Sequence, residues 1–136
     1  MDSLQAWLTL MQNALMAADL RQAVYANNIA NMDTPGFKRS DVEFESLLQQ
    51  AMSRTPQVDG LGYTPVTGSY NNFDIQAMSQ IQPQVIQDNQ TSVDNNGNNV
   101  DIDAEMAKLA ENQIRYNVLV QLVQGKFNGL RTAIEG

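Results

Sequence analysis

The sequence predicts a mainly α-helical protein in which long amphipathic helices at the two ends of the chain pack as a coiled-coil-like pair. Apolar residues are concentrated in residues 4–30 and 102–134, where they recur at alternating spacings of three and four. The stretch between them is rich in Gln, Asn, Ser, Thr, Asp and Gly, so we expect a partly disordered or weakly β segment. The predicted organisation is an N-terminal helix with a signature turn (1–36), a flexible polar middle region (37–99) and a C-terminal coiled-coil helix (100–136).

The first helix is predicted over residues 3–31. Asp2 or Ser3 can cap its first turn by accepting a backbone N–H. The helix should end near Asn31, because Pro35 disfavours helical geometry in the residue before it, and Pro35-Gly36 suits the central positions of a type II turn. Its helix-packing stripe, which Gln22 interrupts, consists of Leu4, Leu8, Met11, Leu15, Ala18, Tyr25 and Ile29.

The middle region contains few strong signals. Residues 37–52 allow a short helix that includes Val42, Phe44 and Leu47-Leu48, with Ser40 or Asp41 as its cap. Turn-forming residues dominate from 53 to 99, although Gln84-Val85-Ile86 is compatible with a short strand. We therefore expect residues 53–99 to bury little apolar surface, and to be loose or to become ordered only against a partner.

The C-terminal helix has the most regular pattern of the chain. Its four-three alternation extends over more than four heptads, which is typical of a coiled coil, and Asp101 or Asp103 can cap its start. At about 1.5 Å per residue the helix would be roughly 50 Å long. Further apolar residues, such as Trp7, Ile114 and Leu122, lie off the two stripes and indicate partner surfaces. The C-terminal stripe consists of Ile102, Met106, Leu109, Gln113, Tyr116, Val120, Val123, Phe127, Leu130 and Ile134.

Composition excludes several function classes. A formal net charge of −7, from 15 acidic and 8 basic residues, argues against nucleic acid and anionic membrane surfaces as partners. The chain has no cysteine and no histidine, which excludes disulfides, thiol nucleophiles and Cys/His zinc sites. The start of the chain lacks the pattern of a cleaved secretory signal, and no apolar run approaches the roughly 20 residues that cross a bilayer.

Candidate catalytic and metal sites are weak. Residues 92–103 resemble a calcium-binding loop around Gly97, but Ser92 occupies the first ligand position and Asp103 replaces the final bidentate Glu. The carboxylate pair Glu43/Glu45 and the pair Asp101/Asp103 are accounted for as helix caps. We therefore predict no enzyme activity, no catalytic residue, no cofactor, no metal and no small-molecule substrate.

The end of the first helix carries the one distinctive motif. Residues 26–37 read Ala-Asn-Asn-Ile-Ala-Asn-Met-Asp-Thr-Pro-Gly-Phe, with Asn residues that are unfavourable in a helix unless their side chains bind backbone groups of nearby turns or of another subunit. This motif resembles the N-terminal signature of the axial proteins of the bacterial flagellum, the rod and hook family. The residues that carry the signature are Asn27, Asn28, Asn31, Thr34, Pro35, Gly36 and Phe37.

The C-terminal half is similar to the proximal rod members of that family through Asn98–Asp103, residues 105–112, Arg115-Tyr116 and residues 125–134. The resemblance implies a structural subunit of the rod that spans the periplasm, exported from the cytoplasm by the flagellar type III apparatus without a cleaved signal. It further implies self-association in a helical assembly, with other rod proteins and the adaptor between rod and membrane ring as neighbours. A generic coiled-coil adaptor, another rod or hook axial protein, and a compact enzyme or calcium module are the alternatives.

Overall fold

The computed structural model describes residues 3–52, 75–91 and 95–135. Two long helices dominate it, and the short elements lie between them in sequence. The elements are α1 (Ser3–Ala30), β1 (Ser40–Glu43), α2 (Glu45–Met52), α3 (Ile75–Ser79), β2 (Gln84–Gln87) and α4 (Ile102–Glu135). None of the helices within these ranges has the length and apolarity of a membrane-spanning helix.

The two terminal helices pack against each other in antiparallel directions. Near one end of the pair the side chain of Asn28 contacts that of Glu105, and near the other end the ammonium of Lys126 lies 5.7 Å from the ring centroid of Trp7. The predicted pair of long terminal helices is therefore confirmed, with each helix within one residue of its predicted bounds.

Helix capping is confirmed where the structure describes it. The carboxylate of Asp101 accepts hydrogen bonds from the backbone N–H groups of Asp103 and Ala104, at 3.1 and 3.4 Å, and so caps α4. The caps predicted for α1 fall outside this description, because Asp2 is not among the described residues and Ser3 is described only in its backbone.

The short helix predicted within residues 37–52 is present as α2 and contains Leu47-Leu48, but it begins at Glu45, so the predicted cap at Ser40 or Asp41 is wrong. Residues 40–43 form β1, which pairs antiparallel with β2 so that Ser40 lies opposite Gln87 and Glu43 opposite Gln84. The physical reason is a period of two, since Val42 and Phe44 are buried while Asp41 and Glu43 between and beside them are only partly covered. The strand predicted at Gln84-Val85-Ile86 is confirmed as β2.

The middle region also contributes to the core, mainly through residues that precede the segment 53–99. Val42 and Phe44 are 6% and 2% exposed, and they form one buried cluster with Leu10 and Ala17 of α1. Apolar side chains of α2, α3 and the following turn pack around this cluster: Leu48, Met78 and Ile81. Helix α1 therefore lies between α4 on one side and the short elements on the other, because its apolar residues occupy more than one stripe.

Candidate functional site

The signature turn after α1 contacts the loop that precedes α4. The Phe37 N–H donates to the Thr34 carbonyl at 3.2 Å, and Gly36 has a φ of 73°, as a type II turn requires. The predicted turn at Pro35-Gly36 is therefore confirmed. The Gly36 N–H donates in turn to the Asn96 carbonyl at 3.0 Å, and a Cβ added to Gly97 would lie 3.8 Å from the Gly36 Cα. The two positive-φ turns are thus in close contact.

Asn28 joins three elements at this junction. Its side chain is fully buried, and its amide both donates to the Ser40 carbonyl at 2.8 Å and accepts from the Ser40 N–H at 3.0 Å. The same amide nitrogen donates to Oε2 of Glu105 at 3.0 Å. The Asn28 amide therefore pairs the backbone C=O and N–H of Ser40, the first residue of β1, as a second neighbouring strand would. The same side chain links α1 to α4.

Two asparagines of the pre-α4 loop complete the junction. Asn98 is fully buried and donates from Nδ2 to the carbonyls of Asn31 and Thr34, at 2.9 and 2.8 Å. These carbonyls also accept the turn hydrogen bonds from the Thr34 and Phe37 N–H groups, so Asn98 binds the turn from a second side. Asn99 accepts from the Arg39 N–H at 2.6 Å and donates to the Asp88 carbonyl at 2.8 Å. These contacts join residues 31–39 to the loop before α4.

A buried carboxylate at the start of α4, that of Glu105, is neutralised by a cation of the junction. Glu105 is 1% exposed and forms an ion pair with the guanidinium of Arg39, which also lies 3.0 Å from Asp41. The Tyr25 hydroxyl donates to Asp41 at 2.8 Å. Burial alone would raise the pKa of Asp41, but the hydrogen bonds from Tyr25 and Arg39 outweigh it and hold that pKa below its ordinary value. Burial, followed by the hydrogen bond to Asp41, raises the pKa of Tyr25.

A second ionic cluster fixes the start of α2. Arg21 of α1 is 5% exposed, donates to both carboxylate oxygens of Glu45 and reaches the Val42 carbonyl at 3.3 Å. Arg115 of α4 approaches the same carboxylate at 3.2 Å. Partial burial raises the pKa of Glu45, but the hydrogen bond from Arg21 outweighs this effect and the net pKa is lowered. The carboxylate thus connects α2 to both terminal helices.

The signature residues have different environments. The prediction that Asn side chains bind backbone groups of neighbouring turns is confirmed for Asn28 and for Asn31, which donates to the Asn27 carbonyl at 2.8 Å. The Thr34 hydroxyl donates to the Asn31 side chain at 3.2 Å. Asn27, Thr34, Pro35 and Gly36 are exposed, and Phe37 is half-buried. Asn28 of the signature is therefore buried within the subunit, whereas the exposed signature residues face outward.

The predicted packing stripes are only half covered. Leu4, Leu8, Met11, Leu15 and Ile29 of α1 are half-buried, and three stripe residues of α4 are exposed by about half or more: Met106 (56%), Phe127 (52%) and Ile134 (85%). Gln113 is also exposed. The remaining stripe residues of α4 are half-buried: Ile102, Leu109, Tyr116, Val120, Val123 and Leu130. The two remaining stripe residues of α1, Ala18 and Tyr25, are buried, at 1% and 5% exposure.

Polar residues also occupy buried positions, and the apolar pattern missed them. On α4 these are Glu105 and Asn112, which lie seven residues apart on the same face of the helix as Leu109 and Tyr116. Asn112 donates to the Ala18 carbonyl at 2.9 Å, while its Oδ1 is buried without a hydrogen-bond partner in the described part of the chain. The signal that could have identified them is the recurrence of polar residues about every two helical turns. On α1 the buried polar residues Asn13, Arg21 and Asn28 recur in the same way, at intervals of eight and seven.

A groove of about 760 Å³ lies between β2 and α4 beside these clusters. Its cations Arg21, Arg39, Lys108 and Arg115 are all ion-paired with carboxylates of the same surface. Within the described ranges no group of three or more acidic side chains is placed to hold a metal ion. Residues 92–94 of the calcium-loop comparison lie outside the described residues. The arrangement is that of a structural polar network.

The comparisons with known proteins agree on one family. A family model described as "Flagella basal body rod protein" matches residues 9–38, which contain most of α1 and the signature. The flagellar basal body rod protein FlgB of Bacillus subtilis is 41% identical over 93% of this chain and 91% of its own length. The FlgB proteins of Borreliella burgdorferi and Salmonella typhimurium are 34% and 32% identical, over 85% and 100% of this chain and 86% and 98% of their own. The chain therefore belongs to the FlgB family of flagellar basal body rod proteins.

Proposed function

We propose that this chain is a structural subunit of the proximal rod of the flagellar basal body and that its terminal helices are its assembly surfaces. One observation carries the second part: the antiparallel α1–α4 pair leaves Met106, Phe127 and Ile134 of the α4 stripe 52–85% exposed. Apolar surface of this extent on a helix pair favours packing against further helices. The buried polar junction holds the two helices in one relative position, so that they present a defined surface.

The partners that we propose follow from the family. They are other rod proteins, the adaptor that joins the rod to the membrane ring, and the flagellar type III export apparatus, which would pass the chain across the inner membrane without cleaving a signal. Assembly would be helical, because head-to-tail contacts that do not close generate an open, filament-like arrangement. The signature residues Asn27, Thr34, Pro35 and Gly36, which are exposed in the subunit, would then face neighbouring subunits.

Complementation tests this proposal. The chain should restore rod formation and swimming to a Bacillus subtilis strain that lacks its own FlgB, and it should copurify with basal bodies with its N-terminus intact. Leu109→Asp and Val120→Asp, in the half-buried part of α4, should abolish both while the chain stays soluble. Gln121→Asp is the matched control, because Gln121 is exposed on the same helix and lies outside the predicted packing stripe. A chain that folds and is exported but never enters basal bodies would instead fit a generic coiled-coil adaptor.

A further inference from the structure

The small sheet is closed at the edge of β1 that faces away from β2. The Asn28 amide binds both the N–H and the C=O of Ser40. The next backbone groups along this edge belong to Val42, whose carbonyl accepts from Arg21 at 3.3 Å and whose N–H donates to the Asp41 carboxylate at 2.8 Å. Side chains therefore occupy the backbone groups through which a further strand could pair with β1.

The opposite edge of the sheet, on β2, is open. The Asp88 N–H donates to the Arg39 carbonyl at 2.9 Å, and hydrogen-bonded pairs alternate with non-hydrogen-bonded pairs along an antiparallel sheet. The N–H and C=O groups of Val85 and Gln87 consequently point away from β1. Within residues 3–52, 75–91 and 95–135 no group binds them. We call these backbone groups of Val85 and Gln87 the open edge.

The strand β2 lacks the features that ordinarily protect an edge. Natural proteins block such edges with charged residues, proline or a bulge. β2 contains no charged residue and no proline, all four of its residues are exposed, and Val85 and Ile86 are 54% and 47% exposed. Pro83, which would be the next residue to point outward, has no N–H and therefore ends the open edge on that side.

The open edge determines the chemistry of its partner. Donors and acceptors that alternate along an extended backbone are matched by another extended backbone, so the partner is a polypeptide segment in strand conformation. β-branched or aromatic side chains of that segment would cover the exposed surfaces of Val85 and Ile86, which lie on opposite faces of β2. The recognition is therefore by main-chain hydrogen bonds, with apolar contacts on both faces.

A second copy of this chain does not suit the open edge. The described part of the chain has no other open strand edge, so a second copy would have to supply its own β2. Two identical edges form an isologous contact, which closes at two copies, whereas a rod has to grow. The partner strand therefore belongs to a different polypeptide.

We propose that the open edge of β2 binds an extended segment of a different polypeptide of the basal body, which adds a third strand to the sheet. The inference rests on the proposed function, since it names a contact of the assembled rod. Because Asn28 and Arg21 fix β1 to α1, the added strand would be held in a defined position relative to the terminal helices. The sheet would then join the subunit to its neighbour independently of helix packing.

Hydrogen exchange, measured by mass spectrometry with residue-level fragmentation, tests the contact directly. The purified wild-type chain is compared with the same chain in basal bodies isolated from the complemented Bacillus subtilis strain. In the purified chain the Val85 and Gln87 amides should exchange quickly, and the Ile86 amide, which is bonded to β1, should exchange more slowly. In basal bodies the Val85 and Gln87 amides should exchange at least tenfold more slowly than in the purified chain. Unchanged exchange in basal bodies would overturn the inference.

Proline substitution separates the open edge from the fold. Val85→Pro removes an N–H that points away from β1 and leaves the hydrogen bonds between β1 and β2 in place. Circular dichroism and the urea midpoint should therefore remain those of the wild type, while incorporation into basal bodies falls at least tenfold. Gln82→Pro is the matched control, because Gln82 is exposed outside β2 and its N–H binds nothing among the described residues. This variant should be incorporated normally.

The outcomes separate the contact from the proposed function. If the wild-type chain and folded Val85→Pro enter basal bodies equally well, the proposed function stands and the contact is wrong. If the purified chain dimerises in sedimentation velocity, with protection of the Val85 and Gln87 amides, the partner is a second copy and the inference is wrong. If the wild-type chain never enters basal bodies, the rod assignment is wrong and the inference falls with it. Should Val85→Pro unfold, the exchange of the wild-type amides in basal bodies decides alone.

Discussion

The side chain of Asn28, near the end of α1, donates a 3.0 Å hydrogen bond to that of Glu105, 77 residues further on in the first turn of α4. Both side chains are buried, at 0% and 1% exposure. The contact holds together the signature, the start of β1 and the beginning of the C-terminal helix. The Asn-rich signature therefore has a role within the subunit in addition to any role between subunits.

Asn28→Ala should destabilise the subunit strongly. The substitution leaves the partly buried N–H and C=O of Ser40 without their side-chain partner and removes a donor from buried Glu105. Buried polar groups left unpaired cost about 1–3 kcal/mol each, so we expect the free energy of unfolding in urea to fall by about 2–4 kcal/mol. Asn27→Ala is the control, because Asn27 is exposed; equal effects of the two changes would contradict the assigned role of Asn28.

Acid should destabilise the fold through Asp41. Its pKa is lowered from the ordinary 3.8 in the folded state by Tyr25 and Arg39, so the folded state binds fewer protons than the unfolded state. The ionised carboxylate therefore contributes its full stabilisation above about pH 4, and the contribution is lost as the pH falls through the lower folded-state pKa. Urea unfolding between pH 7 and pH 2 should show a flatter acid limb for Asp41→Asn than for the wild type. Identical acid limbs would argue against this role.

The long helices were predictable from the sequence because their apolar periodicity is local, and so were the Asp101 cap and the turn at Gly36. The burial of Arg21, Glu105 and Asn112 was not predictable in this way. A polar residue in a periodic pattern is ordinarily assigned to the solvent, and its burial depends on a partner distant in sequence, as Asn112 lies 94 residues from Ala18. The strand β1 was missed for the same reason, since its partner β2 follows forty residues later.

Gly36→Val should weaken the junction without a steric clash. A Cβ at Gly36 would meet nothing within 4 Å, but its φ of 73° is strongly disfavoured for a β-branched residue. We expect a loss of about 1–3 kcal/mol in the free energy of unfolding and faster hydrogen exchange of the Gly36 N–H that bonds the Asn96 carbonyl. Gly36→Asn is the matched control, because asparagine tolerates this conformation better and should lose less. Valine tolerated as well as asparagine would refute the turn assignment.

Asn112→Leu should change the stability and the register of the helix pair in opposite directions. Asn112 is 3% exposed, and its Oδ1 is buried without a hydrogen-bond partner among the described residues, an arrangement that costs free energy. Leucine has the same number of side-chain heavy atoms with the same branching at Cγ, and it should raise the midpoint of thermal unfolding of the isolated subunit.

The same change removes the hydrogen bond to the Ala18 carbonyl, which is formed only when α1 and α4 are in one register. A single buried polar residue can fix register at some cost in stability, so rod incorporation of the stabilised variant should fall. Gln121→Leu, at an exposed position of α4 outside the predicted packing stripe, should leave incorporation unchanged. A variant of Asn112 that is both more stable and fully competent for assembly would show that the register of the helix pair is set elsewhere, by the Asn28–Glu105 contact and the ion pairs around it.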